Sequence, residues 1–171
     1  MARKEQFDSA SAADGVRQGV QDRLGMTPTT MKILAASPSV LGGYLGLSAA
    51  LAGGVLDVKL REQIALAVSW ANQSEVSIVL HSQLAKKLGM SEEEINTSQQ
   101  CRSDDTRKAA ALKFVNELVV WRGQVSREAV LAVRNAGYGD AEIVEIAANA
   151  AMVTLANCFE CIADVQTIAA K

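Results

Sequence analysis

After Pro38 the chain continues to its last residue without another proline, and the only other proline is Pro28. Proline breaks helices through its missing N–H and the clash of its ring with the preceding turn. A proline-free stretch rich in alanine and leucine, with no period-two run longer than a few residues, reads as helix throughout and offers no good strand. Both prolines stand where the missing N–H costs nothing, since Thr27-Pro28 and Ser37-Pro38 each read as the opening of a helix.

Capping and stop residues divide this helical text. Gly25 closes an N-terminal helix, a short one follows Pro28, and the helix opened at Pro38 runs towards Ala52 and ends at Gly53-Gly54. Asp57 caps a helix whose apolar face is Leu60, Ile64, Ala67, Val68 and Ala71, and Asn72-Gln73 breaks it. Ser74 opens the next, with Ile78, Leu84, Ala85 and Leu88 inward, and Gly89 ends it. Ser91 with Glu94 forms the capping box of a short helix ending near Thr97. After a polar loop, Asp105 caps a helix from Arg107 to about Trp121, and Ser126 opens a short one stopped by Gly137. Asp140 caps the last helix, from Ala141 towards Ile168, which is apolar on more than one face between Ala147 and Ala156. Such a helix belongs at the centre of a bundle or under another subunit. The expectation is an all-α bundle, with residues 1–25 as an N-terminal arm or helix and residues 26–171 as a single domain. Asp57 to Ala71 and Ser74 to Leu88 form its central helical hairpin.

Charge and cysteine usage narrow the partners. Seventeen basic against nineteen acidic residues give a formal charge of -2, which supplies no basic field for phosphate backbones, so no nucleic acid partner is expected. Charged residues interrupt every long apolar segment before the ~18 residues of a span, and no membrane association is expected. Three cysteines, an odd number, argue against a disulfide framework. With no apolar leader after Met1, the expected compartment is the cytoplasm.

Chemistry concentrates around the only histidine, His81. Ser74 and Ser77 precede it at i−7 and i−4 on one helix face, with Glu75 close to that face. Glu62 lies one turn into the preceding helix, and a tight break at Asn72 folds the two helices together, the crossing angle deciding whether Glu62 reaches His81. Two readings stand for this pair: a satisfied or surface histidine beside a solvated glutamate, or a proton relay. Cys158-Phe159-Glu160-Cys161 has redox spacing but falls in mid-helix, where the dipole gives a thiolate little help, and reads as two small residues on a packing face. Cys101, in the polar loop, reads as an incidental thiol.

The run Leu60-Arg61-Glu62-Gln63-Ile64-Ala65-Leu66-Ala67-Val68, then Ala71-Asn72-Gln73-Ser74-Glu75-Val76-Ser77 and Leu80-His81, resembles the carboxymuconolactone decarboxylase and AhpD-like superfamily, specifically its alkylhydroperoxidase branch. Similarity extends to Leu84 through Ile95, to Ala136-Gly137-Tyr138 and to Asn157-Cys158-Phe159. The resemblance implies an AhpD-like helical bundle, commonly a trimer or hexamer, that reduces hydroperoxides as a cytoplasmic antioxidant enzyme, with electrons from a dithiol partner and without cofactor or metal. It also implies roles: residue 77 as the peroxidatic position, residue 74 as the resolving one, Glu62 and His81 as proton relay.

Both motif cysteines are serine here, and a hydroxyl neither forms a disulfide nor ionises near neutral pH. Three consequences are open: a peroxidase inactive as written, its serines either introduced by engineering or natural to a degenerate relative; a cysteine-independent decarboxylase-like enzyme on a lactone acid; or a non-catalytic helical oligomer. The second would use Glu75 and His81, with Arg61 the nearest cation in sequence. On the first reading, Ser74→Cys with Ser77→Cys should restore turnover.

Overall fold

The computed structural model describes residues 29–169, so the expected N-terminal arm, residues 1–25, lies outside the described part. Eight helices make up the described residues: α1 (Thr29–Leu34), α2 (Pro38–Ala52), α3 (Val58–Ala71), α4 (Glu75–Lys87), α5 (Glu92–Gln99), α6 (Thr106–Val120), α7 (Arg127–Asn135) and α8 (Asp140–Ala169). The expected caps are in place. Ser37, Asp57, Ser74, Ser91, Asp105 and Ser126 each accept a backbone N–H of the following turn, and Ser91 with Glu94 closes a full capping box. The start of α8 differs from the expected Asp140 cap. Asp140 is already helical, the Gly139 carbonyl accepts the first helical N–H from Ile143, and Glu142 reaches back to the Gly139 N–H.

α3 is buried on every side. From Gln63 to Ser69 no residue is exposed, because α4, α5, α6 and α8 all pack on it. The single apolar face read from sequence therefore understates this helix, while its last expected member, Ala71, is exposed where the helix leaves the body. The main core joins Leu60, Ile64 and Val68 of α3 to Leu112 and Val115 of α6, Val133 of α7 and Ile146 of α8. A smaller cluster, Leu66, Ala85, Met90 and Ile95, ties α3 to the end of α4 and to α5. Met31, Leu34, Leu41 and Leu45 close α1 on α2, with Phe159 of α8 against them.

α8 takes a position beside α3 rather than at the centre. Ala150, Val153 and Ala156 face inward, but Ala151 and Leu155 of the same apolar segment are exposed. Asp140–Ala163 is long and apolar enough to cross a membrane by length and composition, with mean hydropathy 1.5. In this fold its carboxylates tie it to the other helices. Glu145 accepts the backbone N–H of Val55 at 2.9 Å and that of Leu56 at 3.2 Å, fastening the α2–α3 loop; Glu160 does the same for α4, as described below.

The connection between α3 and α4 is as short as a helical hairpin allows. Gln73 adopts the left-handed conformation with φ 57°, its N–H donates to the Trp70 carbonyl, and the Ser74 N–H donates to that of Ser69. This is a Schellman ending in which glutamine stands where glycine is usual. Ser74 thus closes α3 and caps α4 at once.

Gly54 packs under Glu145, and a Cβ there would overlap the carboxylate that holds the loop. Gly54→Ala should displace Glu145 and, because the loop N–H groups it holds are exposed or half-buried, cost about 0.5–1.5 kcal/mol. The thermal midpoint should fall by roughly 2–4 °C for each of those kcal/mol; an unchanged midpoint in a calorimetric scan would show that the loop does not need this tether.

Candidate functional site

The hairpin turn brings Glu62 of α3 against His81 of α4. His81 Nδ1 lies 2.8 Å from Glu62 Oε2, with the two side chains 19% and 18% exposed. An ionised carboxylate only accepts, so this contact places the proton on Nδ1 and leaves Nε2 as the nitrogen available for exchange. Glu62 thus reaches His81 instead of standing free in solvent, a contact that a satisfied histidine and a proton relay share.

The serines meet a different partner. Ser74 and Ser77, at the first turn of α4, both donate to the carboxylate of Glu160 on α8; Ser77 Oγ is 2.9 Å from each carboxylate oxygen. Thr30 of α1 donates to the same carboxylate at 3.1 Å. Asn157, one turn before Glu160, donates to Ser77 Oγ at 2.9 Å and accepts from Asn72 at 2.9 Å. Ser77, Asn157, Glu160 and Thr30 are all buried, with Ser77 1% exposed. A buried polar group is costly unless paired, and here each member of the network is paired.

This network corrects the reading of the last helix. Cys158 and Cys161 are free and exposed, so they are not packing-face residues; the buried face is carried by Asn157 and Glu160. The available signal was that polar i, i+3 pair in an otherwise apolar segment, which the cysteine spacing obscured. Cys101 is half-buried against the core, and burial pushes its thiol up to about 11, far from a reactive thiolate.

Two residues of the decarboxylase-like alternative are placed elsewhere. Glu75 is exposed in the first turn of α4, where its charge complements the helix dipole. Arg61 Nη1 donates to the Leu51 carbonyl at 2.5 Å and so ties off the end of α2.

Beside the network, a cleft of about 620 Å³ opens between α6 and α8. Leu118, Val119, Ala147, Ala151 and Leu155 make apolar walls, with Asn72 and Arg122 as polar edges. Asn72 connects this cleft to Ser77 through Asn157.

Residues 38–117 match the model of the carboxymuconolactone decarboxylase family. An AhpD-core peroxidase-related protein from Ralstonia eutropha JMP134 is 25% identical with a TM-score of 0.73, covering 86% of this chain and 80% of its own. A peroxidase-related protein from Silicibacter sp. TM1040 is 20% identical with a TM-score of 0.75, covering 89% and 82%. The debrominase Bmp8 superposes with a TM-score of 0.78 at 20% identity, covering 93% and 87%. A cysteine-to-alanine variant of that debrominase is known in complex with 2,3,4-tribromopyrrole. No curated protein matches the chain in sequence. Residues 38–117 thus resemble the carboxymuconolactone decarboxylase family, and the fold is shared with the AhpD-like peroxidase-related proteins.

Asn157→Ala removes the donor to Ser77 and the acceptor of Asn72, and should lower stability by about 1–3 kcal/mol in a urea titration. Glu75→Ala, on the exposed side of the same helix, should stay within about 0.5 kcal/mol. Equal effects would deny the network any part in holding the site.

Proposed function

We propose that this chain is an AhpD-like protein that has kept the proton-relay pair of its family and performs acid/base chemistry on a small organic molecule without a thiol peroxidase cycle. The observation that carries this reading is the 2.8 Å contact between His81 and Glu62. Peroxide reduction needs a thiolate to attack the O–O bond and a second thiol to close the disulfide. Ser74 and Ser77 supply neither, so the chain as written should not reduce alkyl hydroperoxide with electrons from a dithiol donor. Glu62 and His81 do not depend on sulfur. A carboxylate that fixes one imidazole nitrogen and leaves the other to exchange a proton is the arrangement of a general base.

The match to the decarboxylase family supports proton transfer next to a carbonyl as the reaction class. A lactone acid is less well served than its uncharged counterpart, because Arg61 is committed to the Leu51 carbonyl. The debrominase with tribromopyrrole supports a small ring compound as the kind of molecule such a fold admits.

The proposal includes a cytoplasmic homo-oligomer, a trimer or hexamer. Trp70, Trp121, Leu155 and Ile162 expose apolar surface, which association would cover. Sedimentation at micromolar concentration should show the oligomer; a monomer would remove this part of the reading.

The chemical part is tested by incubating the chain with an alkyl hydroperoxide and dithiol, and separately with a panel of lactones and cyclic ketones in D₂O. No peroxide consumption is expected, whereas deuterium should enter the position next to the carbonyl. His81→Ala and Glu62→Gln should each slow that exchange by about 10²-fold or more. Peroxide turnover by the unaltered chain, or exchange indifferent to both substitutions, would overturn the reading.

A further inference from the structure

Glu160 is the buried acid that the Glu62–His81 relay leaves unused. It is 4% exposed, and its polar neighbours come from several helices as donors: Thr30 of α1, Ser74 and Ser77 of α4, and at 3.5 Å the amide of Asn157 on its own helix. An ionised carboxylate, which only accepts, satisfies all of them. It also sits at the positive end of α4, where Ser74 is the cap and Ser77 the third residue. That is the place where the family resemblance puts a thiolate.

We propose that Glu160 commits this site to hydroxyls: its carboxylate already supplies the negative charge at the start of α4, holds Ser74 and Ser77 as hydrogen-bond donors, and opposes a thiolate at either position. A thiolate at residue 77 would lie against this carboxylate, and like charges at contact raise a thiol's pKa, cancelling the help of the helix end. The serines are therefore matched to their surroundings and are more than a peroxidase site lacking two sulfur atoms. Tyr44 of α2 is the titratable side chain that feels this charge; burial and then Glu160 raise its hydroxyl above the usual range. The inference rests on the thiol-free reading above, but a thiol titration judges it separately from any turnover.

The test compares Ser74→Cys/Ser77→Cys with the same pair carrying Glu160→Gln. Thiolate absorbance is followed against pH, and the parent chain is subtracted to remove Cys101, Cys158 and Cys161. With Glu160 in place, the introduced thiols should titrate about 1–3 pH units higher than in the Glu160→Gln background. Peroxide turnover with an added dithiol should then appear only in the latter. In that cycle the thiolate at position 77 takes the distal oxygen of the hydroperoxide, the O–O bond breaks and the alcohol leaves. The thiol at position 74 displaces water from the sulfenic acid to form the disulfide, which the dithiol reduces. The single Ser77→Cys change, titrated in both backgrounds, leaves the Ser74–Glu160 bond intact and gives the same comparison if a double variant fails to fold. Equal midpoints in the two backgrounds, or full peroxidase activity with Glu160 present, would overturn the proposal.

Discussion

The molecule depends on covering α3. Every residue from Gln63 to Ser69 is buried, and a helix enclosed on all sides requires α4, α5, α6 and α8 around it. That requirement fixes the site. The chain must reverse immediately after Ala71, which the left-handed Gln73 accomplishes, and the reversal brings Ser74 and Ser77 at the start of α4 to Glu160 of α8 and His81 in its middle to Glu62 of α3. The Ser74/Ser77 network and the Glu62–His81 pair are the polar groups caught at these two contacts. Neither could be moved without repacking the central helix.

What the sequence disclosed follows from how local each signal is. Caps and stops act within a turn, so Asp57, Ser74, Ser91, Asp105 and Ser126 located their helices directly. The hairpin was legible from Asn72-Gln73, whereas the pairing of Glu62 with His81 also needed the crossing angle, which the sequence left open. Glu160 was not legible, because its role depends on the rotational phase of α8 against α4 across most of the chain. A residue-by-residue reading sees Cys158 and Cys161 first, and those two point outward. The same long-range phase decides that Leu155 is exposed while Val153 is buried, although both lie in one apolar run.

The two polar groupings also differ in what their neighbours permit. Glu62 and His81 are partly open to solvent. Ser77 and Glu160 are sealed, and every hydrogen bond between them is already made within the chain. A sealed and satisfied network stabilises and orients; it has no lone pair waiting for a substrate. The family's redox pair needs the opposite, a reactive atom held at a helix end without a competing charge.

The two polar groupings rest on different helix pairs. The Glu62–His81 pair joins α3 to α4, whereas the carboxylate that faces the serines is carried by α8, and the described hydrogen bonds link the pair to neither Asn157 nor Glu160. A change at position 160 therefore alters the electrostatics of residues 74 and 77 through direct contact and leaves the Glu62–His81 geometry to the hairpin. Serine is then the side chain that suits this position physically. It donates to a buried carboxylate at no ionisation cost, while a thiol there would be a weak donor when neutral and a like charge when reactive.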